Sequence, residues 1–299
     1  MNERPIVVGL GEVLWDVFPD GARFGGAPAN FACCAAELSR GRNRVVLASA
    51  VGNDSLGEQA LAELRKHDVD ISVVSQIDFP TSTVDVRVDE HGQANYEFAS
   101  NVAWDHLNWS EKLGELAASC DVVCFGTLAQ RSEKTRETIR NFLAATNGQC
   151  FRLLDINLRP PYYTPELLLH SLSMANCLKL NDVELPIVAE LLSLQGTEEE
   201  LLLQIMRQYS MRFAALTRGG RGSLLLSATG ERCEQPVEPV RVVDTVGAGD
   251  AFTACIALGL LQSMPIDAMA IWANRVAAYV CTHAGATPKI EVDPDGSER

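Results

Sequence analysis

The chain of 299 residues predicts an α/β fold: a three-layer sandwich with a mostly parallel central sheet and a small β-sheet lid. Three observations predict it. Short uninterrupted apolar runs alternate with helical periodicity along most of the chain, the pattern of strands buried on both faces in βαβ units. No internal repeat, low-complexity tract or Pro/Ser-rich linker divides the sequence, so residues 1–299 read as one domain. One region switches to a period of two, which marks an antiparallel hairpin outside that sheet.

In chain order, Ile6 to Leu10 is an apolar strand, and Gly26 to Leu38 is Ala-rich with helical spacing. Val45 to Val51 reads as one strand, and Asp54 to His67 as a helix with Leu56, Ala60, Leu61 and Leu64 on one face. Val84, Val86 and Val88 then alternate with Asp85, Arg87 and Asp89, followed by the turn Glu90-His91-Gly92-Gln93 and Asn95-Tyr96-Glu97-Phe98. With a segment near 12–24, the region 80–103 forms the predicted lid; a plain edge hairpin is the alternative. Asp121 to Phe125, Phe151 to Ile156, Cys177 to Leu180 and Phe213 to Thr217 are buried-strand candidates. Between and after them, Glu133 to Ala145, Pro165 to Met174, Val183 to Leu194, Glu198 to Tyr209 and Thr253 to Leu261 read as helices.

Composition narrows the function classes. With 47% hydrophobic and 21% charged residues the chain can bury a sizeable core. Its 39 acidic against 25 basic residues give a net charge of −14, which argues against nucleic acid or an anionic membrane as partner. The longest uncharged stretch near the C-terminus, Ala251 to Ile266, contains Thr253, Gln262, Ser263 and Pro265 and is too short to span a bilayer, and no signal peptide is visible. The nine cysteines show no CxxC and no zinc spacing; they read as reduced core thiols of a cytoplasmic protein.

The segment Asp244-Thr245-Val246-Gly247-Ala248-Gly249-Asp250 precedes an apolar helical run. Its small residues place free N–H groups and a helix dipole where an anion can approach closely. Asp250 in that first turn is placed to take a proton from a hydroxyl attacking a bound phosphate. Taken alone, the segment reads first as an ordinary Gly-containing loop with Asp250 stabilising a helix start. No GxxxxGK[ST], HExxH or GxSxG is present, and Gly9-Leu10-Gly11 lacks the third glycine of a dinucleotide fingerprint.

Four motifs in order resemble the PfkB (ribokinase-like) carbohydrate kinases. Gly25-Gly26-Ala27-Pro28-Ala29-Asn30 is similar to the family's GG-x-x-x-N, and Asn181-Asp182-Val183-Glu184 to its N-x-x-E. Thr217-Arg218-Gly219-Gly220-Arg221-Gly222 resembles its T-x-G-x-x-G, and Asp244 to Asp250 its C-terminal signature. Gly9-Leu10-Gly11-Glu12 with Asp16, Asp155-x-Asn157-x-Arg159 and Phe125 to Arg131 are most similar to fructokinases.

The resemblance implies a ribokinase-like fold and transfer of the γ-phosphoryl of Mg-ATP to a sugar hydroxyl, with D-fructose as the first expectation. It makes Asp250 the general base and the backbone of Gly247, Ala248 and Gly249 the anion hole. Asp16, Gly26 and Asn30 would bind sugar, and Arg159 would neutralise phosphate or substrate charge. Asn181 would reach the phosphates and Glu184 would order water around Mg²⁺, although Asn181 and Glu184 also read as a helix cap. Thr217, Gly219 and Gly222 would hold phosphates and ribose, or simply form a hairpin, and Asn274 would lie near adenine. Asp244, with carbonyls near Gly285, is the place for a monovalent cation such as K⁺; His283 departs from the Arg frequent in relatives. Ribose, 2-keto-3-deoxygluconate or a nucleoside stay open as substrates, with Arg23, Arg87 and Arg159 as candidate cations and Trp15, Phe18, Tyr96 and Phe98 as candidate stacking rings. A catalytically silent sugar or nucleotide sensor is the different-class alternative, and a dinucleotide oxidoreductase a distant one. Unpaired lid edges, and the dimers common among relatives, imply a homodimer through the lid.

Overall fold

The computed structural model describes residues 4–18, 21–88 and 94–290. The strands are β1 Ile6–Leu10, β2 Leu14–Phe18, β3 Gly21–Gly25, β4 Arg44–Ala48, β5 Ala50–Gly52, β6 Ser75–Ile77, β7 Ser82–Val88, β8 Ala94–Phe98, β9 Val122–Phe125, β10 Phe151–Asp155, β11 Cys177–Asn181, β12 Phe213–Thr217, β13 Ser223–Ser227 and β14 Arg232–Gln235. The α-helices are α1 Ala27–Ser39, α2 Ser55–Lys66, α3 Glu111–Ser119, α4 Glu133–Ala145, α5 Pro165–Met174, α6 Glu184–Leu191, α7 Glu198–Gln208, α8 Ala248–Leu261 and α9 Ile266–Cys281.

Eight strands form the central sheet in the order β14-β13-β12-β11-β10-β9-β1-β4. It is parallel from β4 to β12, and β13 and β14 run antiparallel at one edge. Alternate residues serve two cores. Val7, Val45, Leu47, Val122 and Cys124 face the layer containing α1, α8 and α9. Val8, Val46, Ala48, Val123 and Phe125 face the layer of α3 to α7. Burial on both faces is why these strands are continuously apolar.

Helix starts follow local chemistry. The Asp54 side chain accepts the Gly57 N–H at 2.8 Å and caps α2. Thr197 and Glu200 form a reciprocal capping box on α7. The N-cap of α8 differs: Gly247, at φ 80°, offers no side-chain oxygen. A side chain there would place Cβ 2.3 Å from the Ala286 carbonyl oxygen, so only glycine fits.

The lid is a four-stranded sheet in the order β3-β2-β7-β8. Strands β7 and β8 pair antiparallel, with Val84 opposite Phe98. Their turn, Glu90 to Gln93, lies outside the described residues. Strands β2 and β7 pair in parallel, so the lid is mixed rather than a simple meander. One expected strand divides. Pairing of β4 with β1 ends at Ala48, where β4 runs out of neighbour, and beyond Ser49 the chain pairs β5 with β6 in a separate small sheet. Helix α3, capped by Ser110, has no counterpart among the helices expected from sequence.

Candidate active site

The C-terminal ends of β1, β10 and β11, the N-terminus of α8 and the lid enclose a cavity of about 260 Å³. Asp16, Gly26, Asn30, Arg159, Gly247, Gly249 and Asp250 all line it. These residues come from both ends of the chain. The Asn30 amide donates to Asp250 Oδ2 at 2.8 Å across 220 residues of sequence.

Asp250 is nine-tenths buried. Burial and the neighbouring Asp155 charge push its pKa up to about 7, against the Asn30 hydrogen bond, Lys179 and Arg159. The carboxyl therefore exchanges protons near neutrality, where a general base works best. Burial likewise raises Glu12 and Asp16 to about 6, with Arg159 opposing in both cases.

Ala248 differs from its two neighbours in the expected anion hole. Its N–H turns back to the Thr245 carbonyl at 3.3 Å. Gly247 and Gly249, not Ala248, line the cavity.

The remaining predicted residues do not converge on this cavity. Asn181 and Thr217 are register partners at the ends of β11 and β12. Glu184 accepts the N–H of Leu158 and of Asn181, each at 2.9 Å, and Asn181 Oδ1 accepts the N–H of Val183 and Glu184. The capping geometry is thus present. Gly222, at φ 88°, packs so closely that a Cβ would lie 2.0 Å from the Gln235 carbonyl oxygen, a requirement of the β12–β14 hairpins. Gly219 instead faces open space. The Asn274 amide donates to Ser223 Oγ at 2.7 Å and to the Ala270 carbonyl, and the residue lines a second cavity with Pro236, Ile271 and Tyr279.

Asp244 accepts the N–H of Val246 at 3.0 Å and of Gly285 at 3.1 Å, and Arg23 of the lid lies 3.9 Å away. Arg23 also stacks on Phe18. Trp15 is unavailable for stacking on a ligand, because it is buried and its indole N–H donates to the Leu56 carbonyl at 3.1 Å. Phe18 and Phe98 line the cavity, whereas the side chains of Arg87 and Tyr96 lie outside the described residues.

Sequence reasoning assigned no role to Lys179, Asp155, Thr253 or Glu12. Lys179 lines the cavity and is 6% exposed, and its Nζ lies 3.0 and 3.1 Å from the Asp155 carboxylate oxygens. Burial works against its charge, but Asp155, Glu184 and Asp250 outweigh burial and hold its pKa above the usual lysine value. Thr253 Oγ1 lies 2.8 Å from Asp155 Oδ2. A lysine inside the apolar run Leu178-Lys179-Leu180 was the available signal, since a buried charge needs a partner. Glu12 Oε2 is buried without a hydrogen-bond partner.

Among the described residues, no group of three or more His, Cys, Asp or Glu could hold a metal ion, and no helix is long and apolar enough to cross a membrane. All nine cysteines are free thiols.

The family model for pfkB carbohydrate kinases matches residues 13–293. This chain belongs to that family. It is an ATP-dependent sugar kinase with a ribokinase-like fold. The pfkB kinase is 29% identical over 295 residues to a fructokinase of Salmonella typhimurium, covering 94% of this chain and 92% of that one. Its structure matches a sugar kinase of Pyrococcus horikoshii solved with ATP, at TM-score 0.77 and 25% identity over 94% of each chain. It also matches a fructokinase of Vibrio cholerae solved with fructose, ADP and calcium, at TM-score 0.79 and 24% identity over 96% of each.

Proposed function

We propose that this kinase phosphorylates the primary hydroxyl of D-fructose, giving fructose 6-phosphate and ADP, with Asp250 as general base. The observation that carries the reading is the buried Asp250–Asn30 pair beside the glycine N-cap of α8. Asp250 takes the hydroxyl proton as the sugar oxygen bonds to the γ-phosphorus, and the bond to the β,γ-bridging oxygen breaks. The N–H groups of Gly247 and Gly249 stabilise charge on the transferring group. Asp16, Gly26 and Asn30 hold the sugar, and Arg159 balances charge. Asn181, Thr217, Gly219 and Gly222 carry the phosphates and ribose, and the cavity at Asn274 takes the base.

Mg²⁺ arrives with the nucleotide in this reading. Each Glu184 oxygen already accepts one backbone N–H and keeps a lone pair for a bridging water, which fits water-mediated contact and not direct ligation. The ion would neutralise charge on the phosphates. A monovalent cation at Asp244 would compete with the Arg23 guanidinium.

The cavity chemistry favours a neutral sugar. Glu12, Asp16 and Asp250 line it, while Lys179 is already paired with Asp155 and Arg23 lies at Asp244. A sugar acid would meet three carboxyl groups with Arg159 as its main counter-charge. The free thiols suit a reducing cytoplasm. The edge strands β3 and β8 of the lid suit a homodimer, which light scattering would test; a monomeric mass would refute it.

The test is ADP release from Mg-ATP with fructose, ribose, 2-keto-3-deoxygluconate, adenosine or no acceptor, with and without potassium. Preference for fructose supports the reading. Preference for another acceptor moves specificity elsewhere in the lid, and ATP binding without turnover on any acceptor favours a sensor.

A further inference from the structure

We propose that Asp155 and Lys179 are positioning residues that set the proton affinity of Asp250 in opposite directions, and that Thr253 fixes the pair against α8. This inference rests on Asp250 being the base.

The arrangement follows from sheet register. Asp155 and Lys179 are direct neighbours on parallel strands β10 and β11. Both share the parity of Leu153 and Cys177, whose side chains belong to the core on the α8 side of the sheet. Their side chains therefore enter the layer beneath the first turn of α8. Lys179 Nζ reaches both Asp155 oxygens, and Thr253 Oγ1 lies 2.8 Å from Asp155 Oδ2 and 2.8 Å from the Gly249 carbonyl. Thr253 is fully buried on α8, and its single hydroxyl proton, given to Asp155, ties the ion pair to the helix that carries Asp250. A Cβ on Gly249 would sit 3.1 Å from Lys179 Nζ, which places the ammonium directly against the anion-binding turn.

A buried ion pair is seldom retained for stability, because desolvation offsets much of its attraction. Here each partner acts on a third group. The Asp155 charge favours protonated Asp250, and the Lys179 charge favours the carboxylate. The other groups acting on Asp250 or on its pair are Asn30 on α1, Arg159 after β10 and Glu184 on α6, with the thiols of Cys34 on α1 and Cys124 on β9 facing them. Among the groups that act on Asp250, the pair supplies adjacent opposite charges.

The test is the pH dependence of kcat/KM for fructose in Asp155→Asn, Lys179→Met, Lys179→Arg and the double variant D155N/K179M, with ATP binding and melting temperature measured alongside. D155N is expected to move the acidic limb to lower pH by about one unit, and K179M to higher pH by a similar amount. K179R should stay near wild type, and the double variant should fall between the single ones. A purely structural pair would change stability without opposite shifts. Limbs that stay put, or that move in the same direction, in variants that still bind ATP would overturn the inference. Should K179M fail to fold, D155N and the double variant, which replaces the ion pair with neutral groups, still decide it. D250N serves as the control on the underlying reading: near-normal turnover there removes Asp250 as base, whereas lost turnover with unmoved limbs removes only the role of the pair.

Discussion

Replacing Gly247 by alanine tests the anion hole through backbone geometry alone. Gly247 caps α8 at φ 80°, and its added Cβ would lie 2.3 Å from the Ala286 oxygen, with Ala286 Cα and C also within 2.8 Å. All three are backbone atoms that cannot rotate away. Restoring ordinary contact requires the turn and the Ala286 segment to part by about 1 Å. Gly230 is the matched control, since it has φ 91° and nothing within 4 Å of its Cβ position. Left-handed strain alone costs G230A about 1–2 kcal/mol. G247A carries that strain plus overpacking of about 1–3 kcal/mol. At about 2 °C per kcal/mol, G247A should melt several degrees below G230A. A displacement of about 1 Å at the donors should lower kcat on the order of 10²-fold, with G230A close to wild type. The assays are thermal melting and coupled ADP release. G247A melting with G230A, and turning over within about twofold of wild type, would refute the assignment of this turn as a rigid oxyanion-type device.

Other outcomes follow from the same geometry. Asp250→Asn should lower kcat by about 10²–10⁴-fold while ATP still binds, as read by steady-state kinetics and titration calorimetry. In the wild type, protonation of Asp250 should make kcat/KM fall about tenfold per unit below a midpoint near pH 7. The raised pKa means the fold favours the neutral acid: the stability it contributes is present below the unfolded value of 3.8 and lost as pH rises through about 7. D250N should therefore melt higher than wild type at pH 8. Glu184→Ala leaves the N–H groups of Leu158 and Asn181 without their acceptor and should cost about 2–4 kcal/mol in denaturant titration, with E184Q, which keeps one acceptor oxygen, losing about half. Arg131 bonds Asp105 through two nitrogens at 2.8 Å and stacks on Trp104, so Arg131→Met should cost about 3–5 kcal/mol and regain part of it with Asp105→Asn.

Much of the architecture was legible because it is written locally. The two-sided burial of β1, β4 and β9 shows as uninterrupted apolar runs, and the cap of α2 shows as Asp54 before an amphipathic stretch. Local signals lose force where a neighbour decides the outcome. Val45 to Val51 reads as one strand, yet the break at Ser49 depends on where β1 ends. Helix α3 is short and interrupted by Gly114, and packing against α4 sustains it.

The site divides in the same way. Motif order alone pointed to the kind of chemistry and singled out Asp250, Asn30, Gly247 and Gly249, which line one cavity. Only the tertiary structure joined Asn30 to Asp250, turned the Ala248 N–H toward Thr245, and set Arg23 beside Asp244. It also revealed what no motif carried: Lys179, which in sequence is a misplaced charge in an apolar strand, meets Asp155 in the adjacent register position. Periodicity and propensity act over a few residues and specify which face of an element is buried. Proton affinity and charge pairing depend on groups brought together from distant strands in a desolvated space, and that proximity exists only once the sheet has assembled.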